Sequence, residues 1–207
     1  MTRIRLGGAT LLVGCVALIF VMLVALVVSD PLHGGVVALT ALTIEAVASV
    51  LVLLGMPAIL ASQGNRATRL GLAGYVGVFA NVAFVNLFLS LTFAIVLPWA
   101  ADQGMNVDGP PPPAIGAALF GSVLVQIVCT GLLAAWVLRS GKYSRWSGWL
   151  LVASTALTIL SAVPLAGIAR YAAAITLYAA LGLIGLQLAA GTVREAPADH
   201  VARPLVA

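Results

Sequence analysis

Polar residues are sparse along this chain and gather in short clusters between six apolar runs, at about 7–29, 35–61, 71–98, 114–138, 147–168 and 171–192. Roughly 20 apolar residues suffice for a helix to cross a hydrocarbon core of about 30 Å, so each run can be a span. The pattern predicts an all-α fold, a polytopic membrane helical bundle of six transmembrane helices forming a single domain over 1–192. The stretch 193–207, which includes "REAPADHVARPLVA", is polar and aperiodic and is expected to be a poorly ordered tail. Only "GIAR" separates the last two runs, so a tight turn at Gly167–Arg170, helped by Pro164, is expected to reverse the chain there.

The first run follows Arg3 and Arg5, but it exceeds the 7–15 apolar residues of a secretory signal and no small-residue cleavage site follows. It reads as an uncleaved helix. With the N-terminus inside, the inner segments hold Arg3, Arg5, Arg66, Arg69, Arg139, Lys142, Arg145, Arg194 and Arg203, nine of the ten Lys and Arg residues, and only Arg170 lies outside. This asymmetry predicts a multi-pass protein of the cell inner membrane with both termini cytoplasmic. The outer connections are "SDPLHGG" and "PWAADQGMNVDGPPPP", whose four prolines favour a stiff extended path into the fourth span. Trp99, Tyr143, Trp146, Trp149 and Tyr171 fall near span ends, where amphipathic rings settle at an interface. An arginine also precedes a small-residue helix start at "RLGGATLL", "RLGLAGYV" and "RWSGWLLV", a weak internal repeat.

Composition agrees with this setting: 62% of the 207 residues are hydrophobic and 8% charged, against about 25% charged in soluble domains, and the mean hydropathy is +1.15. The net charge of +4 arises from loop clusters and serves orientation, so no nucleic-acid partner is expected. The cysteines, Cys15 and Cys129, stand alone in different spans and read as small buried hydrophobes. The two histidines, His33 and His200, lie in a loop and in the tail. No metal site or cofactor is expected from this set. Phosphate loops, Ser-His-Asp sets, H-E-x-x-H and paired carboxylates are absent from the sequence, and the glycines of "GLAGYVG" at 71–77 read as packing residues at a helix start.

Against that background Glu45 stands out, as a carboxyl about ten residues into the second run, roughly 15 Å deep at 1.5 Å per residue. Asn81 in the third run, Gln126 in the fourth and Thr158 in the fifth come out near the same level, so the four are predicted to share one polar, ligand-binding layer. Asn86, five residues beyond Asn81, should point about 140° away from it on an α-helix. Around Glu45 the helical neighbours Ala38, Ala41, Leu42, Ala48, Ser49 and Val52 are mostly small, which turns Glu45 into the bundle. With no cation inside any span, it is expected to be neutral and to donate a hydrogen bond to Asn81 or Gln126.

The stretch "RSGKYSRWSGWLLVAS", residues 139–154, resembles small bacterial six-span proteins of unknown function, in which a basic RSG-type loop followed by RW and Gly opens the fifth helix. The resemblance covers some 16 residues and implies the fold, not an activity.

An ionisable residue in a span is a functional-site hypothesis by default. The leading expectation is an integral membrane protein that accommodates a hydrophobic, lipid- or isoprenoid-like molecule, or a partner helix, within its bundle, with no self-contained catalytic site. One alternative is a membrane-embedded isoprenoid cyclase or isomerase with Glu45 as general acid, the one catalytic candidate, and Asn81 and Gln126 positioning substrate. Against it, Phe79, Phe84, Phe88 and Phe93 spread around the third span instead of forming one wall. Another is a proton-coupled transporter with Glu45 as proton site. The expected partners are the lipid bilayer and a hydrophobic small molecule. "GLAG" at 71–74 and "GLIG" at 182–185 leave a homo-oligomer or a membrane-protein partner open, with packing inside the bundle favoured.

Overall fold

The computed structural model describes residues 2–27, 35–63, 68–96, 99–100, 103–104, 113–161 and 167–193. Every regular element among them is helical. They are α1 (Thr2–Val27), α2 (Gly35–Gly55), α3 (Pro57–Gln63), α4 (Arg69–Asn81), a π-helical stretch Val82–Phe88, the single turn α5 (Leu89–Leu91), a second π-helical stretch Thr92–Val96, α6 (Pro113–Ser140), α7 (Arg145–Ser161) and α8 (Gly167–Ala190). Five stretches are long and apolar enough to cross a membrane: Thr2–Leu26, Leu39–Gln63, Arg69–Val96, Ile115–Ser140 and Ile168–Ala190. The fifth expected span corresponds to α7, whose 17 residues fall short of the roughly 20 a crossing needs; its expected continuation runs through 162–166, outside the described residues.

Helix ends follow local chemistry. Pro57 has no N–H for the α2 ladder, so α2 closes at Gly55 after Met56 N–H bonds Val52 O at 2.9 Å. Thr68 caps α4 by accepting the Gly71 N–H at 3.1 Å. Gly141, with φ +62°, ends α6 in the left-handed region that favours glycine and starts the sharp connection to α7. At Gly167–Arg170 the structure departs from the expectation, since these residues form the first turn of α8 and not a reversal. The alanine-rich continuation through Ala169 and Ala172–Ala174 supports helix directly from Gly167. The tail beyond Val193 and most of both outer connections lie outside the described residues.

Small residues bring backbones together. A Cβ at Gly8 would sit 2.6 Å from Ala189 N, one at Gly185 would sit 2.8 Å from Gly8 O, and one at Gly14 would sit 2.8 Å from Ala48 O, so α1 is clasped between α8 and α2. On α4, Gly71 lies against the Trp136 ring and Gly74 against the Leu133 backbone. The "GLAG" and "GLIG" faces are thus occupied by the bundle's own helices.

Successive helices pack in a closed circuit: α1 on α2, α2 on Val82–Phe88, α4 on α6, α6 on α7, α7 on α8 and α8 back on α1. The shared core includes Leu11, Val52, Met56, Ile59, Leu133, Leu151 and Leu181. The third span changes partner halfway, since its π-helical part packs on α2 while α4 packs on α6. At the end where α4 begins, α3 and α4 therefore part. Packing is also lopsided along α6: Thr130, Leu133, Ala134, Trp136 and Val137 are buried, whereas Phe120, Leu124, Val125 and Val128 in the other half are exposed.

Candidate functional site

Glu45 is the one acidic side chain among the described residues. It projects from α2 towards the third span, where Asn86 Nδ2 donates to its Oε1 at 3.2 Å and the Ser90 hydroxyl also hydrogen-bonds the carboxyl. Asn86 and Ser90 are four residues apart, on one face, and both are buried. Ser49 Oγ donates to the Glu45 backbone carbonyl at 2.7 Å, one turn along α2. From α8, the buried phenol of Tyr178 lies within electrostatic reach of the carboxyl, as does the Arg170 guanidinium from the first turn of that helix.

The π-helical stretch holds this arrangement. Leu89 N–H bonds Phe84 O five residues back, which widens the turn and shifts the phase of everything beyond Asn81. Asn86 is thereby aimed at α2, while Asn81 faces α6 and donates through Nδ2 to Gln126 Oε1 at 3.3 Å. The expected bond from Glu45 to Asn81 or Gln126 does not form; Glu45 pairs with Asn86, and Asn81 with Gln126. Asn81 and Asn86 do face different ways, as helical phase suggested. The Asn81 Oδ1 atom is buried with no hydrogen-bond partner among the described residues. Thr158 belongs to neither pair. Its hydroxyl donates to Ser154 O at 2.8 Å within α7, and Ser154 Oγ donates in turn to Ala173 O on α8 at 2.8 Å. The predicted single layer is therefore two side-chain pairs on α2, the third span and α6, with a separate hydroxyl ladder on α7.

A second polar cluster lies at the end of the bundle where α1 begins, which is also the basic end. The Tyr143 ring, 5% exposed, is tucked under α3 from the α6–α7 connection. Its hydroxyl lies 2.6 Å from Ser62 Oγ, accepts from Gln63 Nε2 at 3.0 Å and donates to Ile59 O at 3.3 Å. Lys142 Nζ donates to Ser62 O at 2.9 Å, and Ser144 N–H to Gln187 Oε1 on α8 at 3.1 Å. Burial pushes the Tyr143 phenol above its ordinary value of 10.0, against the opposing pull of its hydrogen bonds with Ser62 and Gln63.

Tyr143 is accordingly no interface anchor, unlike Trp99, Trp146 and Trp149, which are exposed. The hydropathy profile marks it as a loop aromatic and carries no sign of the α3 end it meets some 80 residues away. For Asn86 and Ser90 a signal did exist, namely their four-residue spacing on one helical face; only the change of phase at Val82–Phe88 concealed where that face points.

No protein-family model matches this chain, and no curated protein or solved structure is significantly similar to it.

Proposed function

We propose that the chain is an integral membrane protein that crosses the bilayer six times and accommodates a hydrophobic, lipid- or isoprenoid-like molecule within its bundle, with Glu45 as the polar contact. The observation that carries this reading is the Glu45 carboxyl held by Asn86 and Ser90 where the third span is π-helical. Acidic residues in a span are costly and mark function more often than scaffolding, and π-helical turns inside helices concentrate at functional sites. Five residues back along the third span, the buried Asn81 Oδ1, without a hydrogen-bond partner among the described residues, offers an acceptor to a ligand hydroxyl.

Orientation follows from charge. Arg5 lies against Gly191 at the end of α8, while Arg69, Arg139 and Lys142 share one cleft, so these cations gather at one end of the bundle. Arg170 is in the opposite, first turn of α8. By the positive-inside rule the basic end is cytoplasmic in an inner membrane.

The test is mass spectrometry of molecules that co-purify in mild detergent with the wild type and with Glu45→Gln. A discrete hydrophobic species retained by the wild type and depleted in the variant is expected. Bulk phospholipid alone in both samples, at unchanged thermal stability, refutes the reading.

Arg170 supports a second reading, proton-coupled transport, because a cation within electrostatic reach of a half-buried carboxyl links proton occupancy at Glu45 to the charge at the far end of the bundle. Uptake in proteoliposomes under a proton gradient separates the two: a transporter keeps activity with Glu45→Asp and loses it with Glu45→Gln.

A further inference from the structure

Where α3 and α4 part, a cleft of about 380 Å³ opens at the basic end of the bundle. Arg69, the first residue of α4, Arg139, in the last turn of α6, and Lys142, in the α6–α7 connection, all line it. Thr68 and Ser140 add hydroxyls, and the buried Trp136 ring forms a wall. Among the described residues the lining contains no acidic side chain. We propose that this cleft binds a phosphate group presented at the membrane surface.

Four features point to that chemistry. Guanidinium groups present planar pairs of donors that match phosphate oxygens, and here two come from different helices onto one space. The Lys142 ammonium gives a bond to Ser62 O, which holds its positive charge at the cleft. The cleft also adjoins the start of α4, a 13-residue helix. The positive dipole end of this helix favours an anion, with the Gly71 N–H already taken by the Thr68 hydroxyl. In size, the cavity falls in the range of small-ligand sites, roughly 300–1,000 Å³.

Membrane orientation by itself asks only that basic residues lie on one side; it does not require three of them around one cavity walled by an indole. The cleft is distinct from Glu45, which belongs to none of its lining. The inference shares with the reading above only the placement of the chain in a membrane with this end at the surface.

The experiment uses full-length protein in an uncharged mild detergent. Native mass spectrometry measures retention from an equimolar mixture of phosphatidylglycerol and phosphatidylcholine, and thermal unfolding is followed with and without millimolar inorganic phosphate. Three proteins are compared: wild type, Arg69→Gln with Arg139→Gln, and a control pair, Arg3→Gln with Arg145→Gln, that removes two exposed cations of the same end outside the cleft. At about fivefold per basic residue near a membrane surface, the cleft pair should reduce the response roughly 30-fold, while the control pair changes it less than about fivefold. Preference for phosphatidylglycerol without a response to inorganic phosphate identifies a lipid headgroup as the source. Stabilisation by inorganic phosphate that disappears in the cleft pair identifies a soluble phosphate compound. Equal losses in both pairs, or no preference and no stabilisation in the wild type, overturn the proposal. Should the Gln pair fail to fold, Arg69→Lys with Arg139→Lys decides: it keeps the charges and loses the paired donors, so binding weakened relative to wild type supports the site and unchanged binding overturns it.

Discussion

Glu45 and Tyr143 each anchor a polar cluster inside the bundle, and the two differ in what they bond to. In the middle of the bundle the contacts are side chain to side chain, at 3.2 Å for Glu45 with Asn86 and 3.3 Å for Asn81 with Gln126, and Asn81 Oδ1 has no partner among the described residues. At the basic end the bonds run from 2.6 to 3.3 Å and two end on fixed backbone carbonyls, Ile59 O and Ser62 O, so that one loop pins the α3 end while Ser144 ties it to α8. Bonds between two side chains can be exchanged for bonds to a ligand by rotamer changes. Bonds to helix-end carbonyls are harder to exchange, because these acceptors are fixed in the backbone and cannot turn to a new partner. The first cluster is suited to recognition and the second to holding the helices in register.

The sharpest way to break this comparison is Tyr143→Ala, which removes a buried ring and its three hydrogen bonds; a loss of about 3–5 kcal/mol is expected from unfolding in detergent. Tyr143→Phe keeps the ring and strands Gln63 Nε2, so about 1–2 kcal/mol should be lost. A value near zero would remove the distinction between the clusters. Glu45→Ala leaves the buried Asn86 amide without its partner and should cost about 1 kcal/mol or more. Glu45→Gln keeps an acceptor oxygen for Asn86 and should remain within about 0.5 kcal/mol of wild type, so that any loss of function it shows is chemical and not a folding defect. In a double-mutant cycle, Asn81→Ala with Gln126→Ala should couple by only about 0.6 kcal/mol, the average for hydrogen bonds between helices in a membrane. The smallest effect concerns pH. Because the folded Tyr143 phenol is held above 10.0, the folded state keeps a proton that the unfolded chain gives up as pH rises. Its contribution is therefore constant through neutral pH and is lost only in the alkaline range beyond 10.0. Unfolding from pH 6 to 11 in wild type and Tyr143→Phe checks this, and the variant should lack the alkaline part of the decline.

Much of the architecture was legible in the chain. Apolar runs of 20 and more residues placed the long helices to within a few residues, since in hydrocarbon a helix is the one local conformation that satisfies its own backbone. The glycines of "GLAGYVG" read correctly as packing positions because close approach of helices needs small side chains. Glu45 was visible for the opposite reason, as the single charge in a field of hydrocarbon. The tight turn at Gly167–Arg170 was misplaced because glycine and arginine signal a connection only when the following residues resist helix, and here they are largely alanine.

Partners, in contrast, depend on phase and distance. The α-helical wheel separated Asn81 from Asn86, but the assignment of Asn86 to Glu45 and of Asn81 to Gln126 required knowing which neighbouring helix each of those faces meets. The Tyr143 network joins residues 80 and more positions apart, and the cleft at the basic end exists because α4 packs on α6 while the π-helical stretch beyond it packs on α2. The sequence by itself determined that this chain forms long apolar helices with one carboxyl inside an apolar run and a basic end, because hydropathy and charge act residue by residue. Only the tertiary structure decided which polar atoms meet and where space remains between helices, because hydrogen bonds and cavities depend on how separate helices are rotated and tilted against one another.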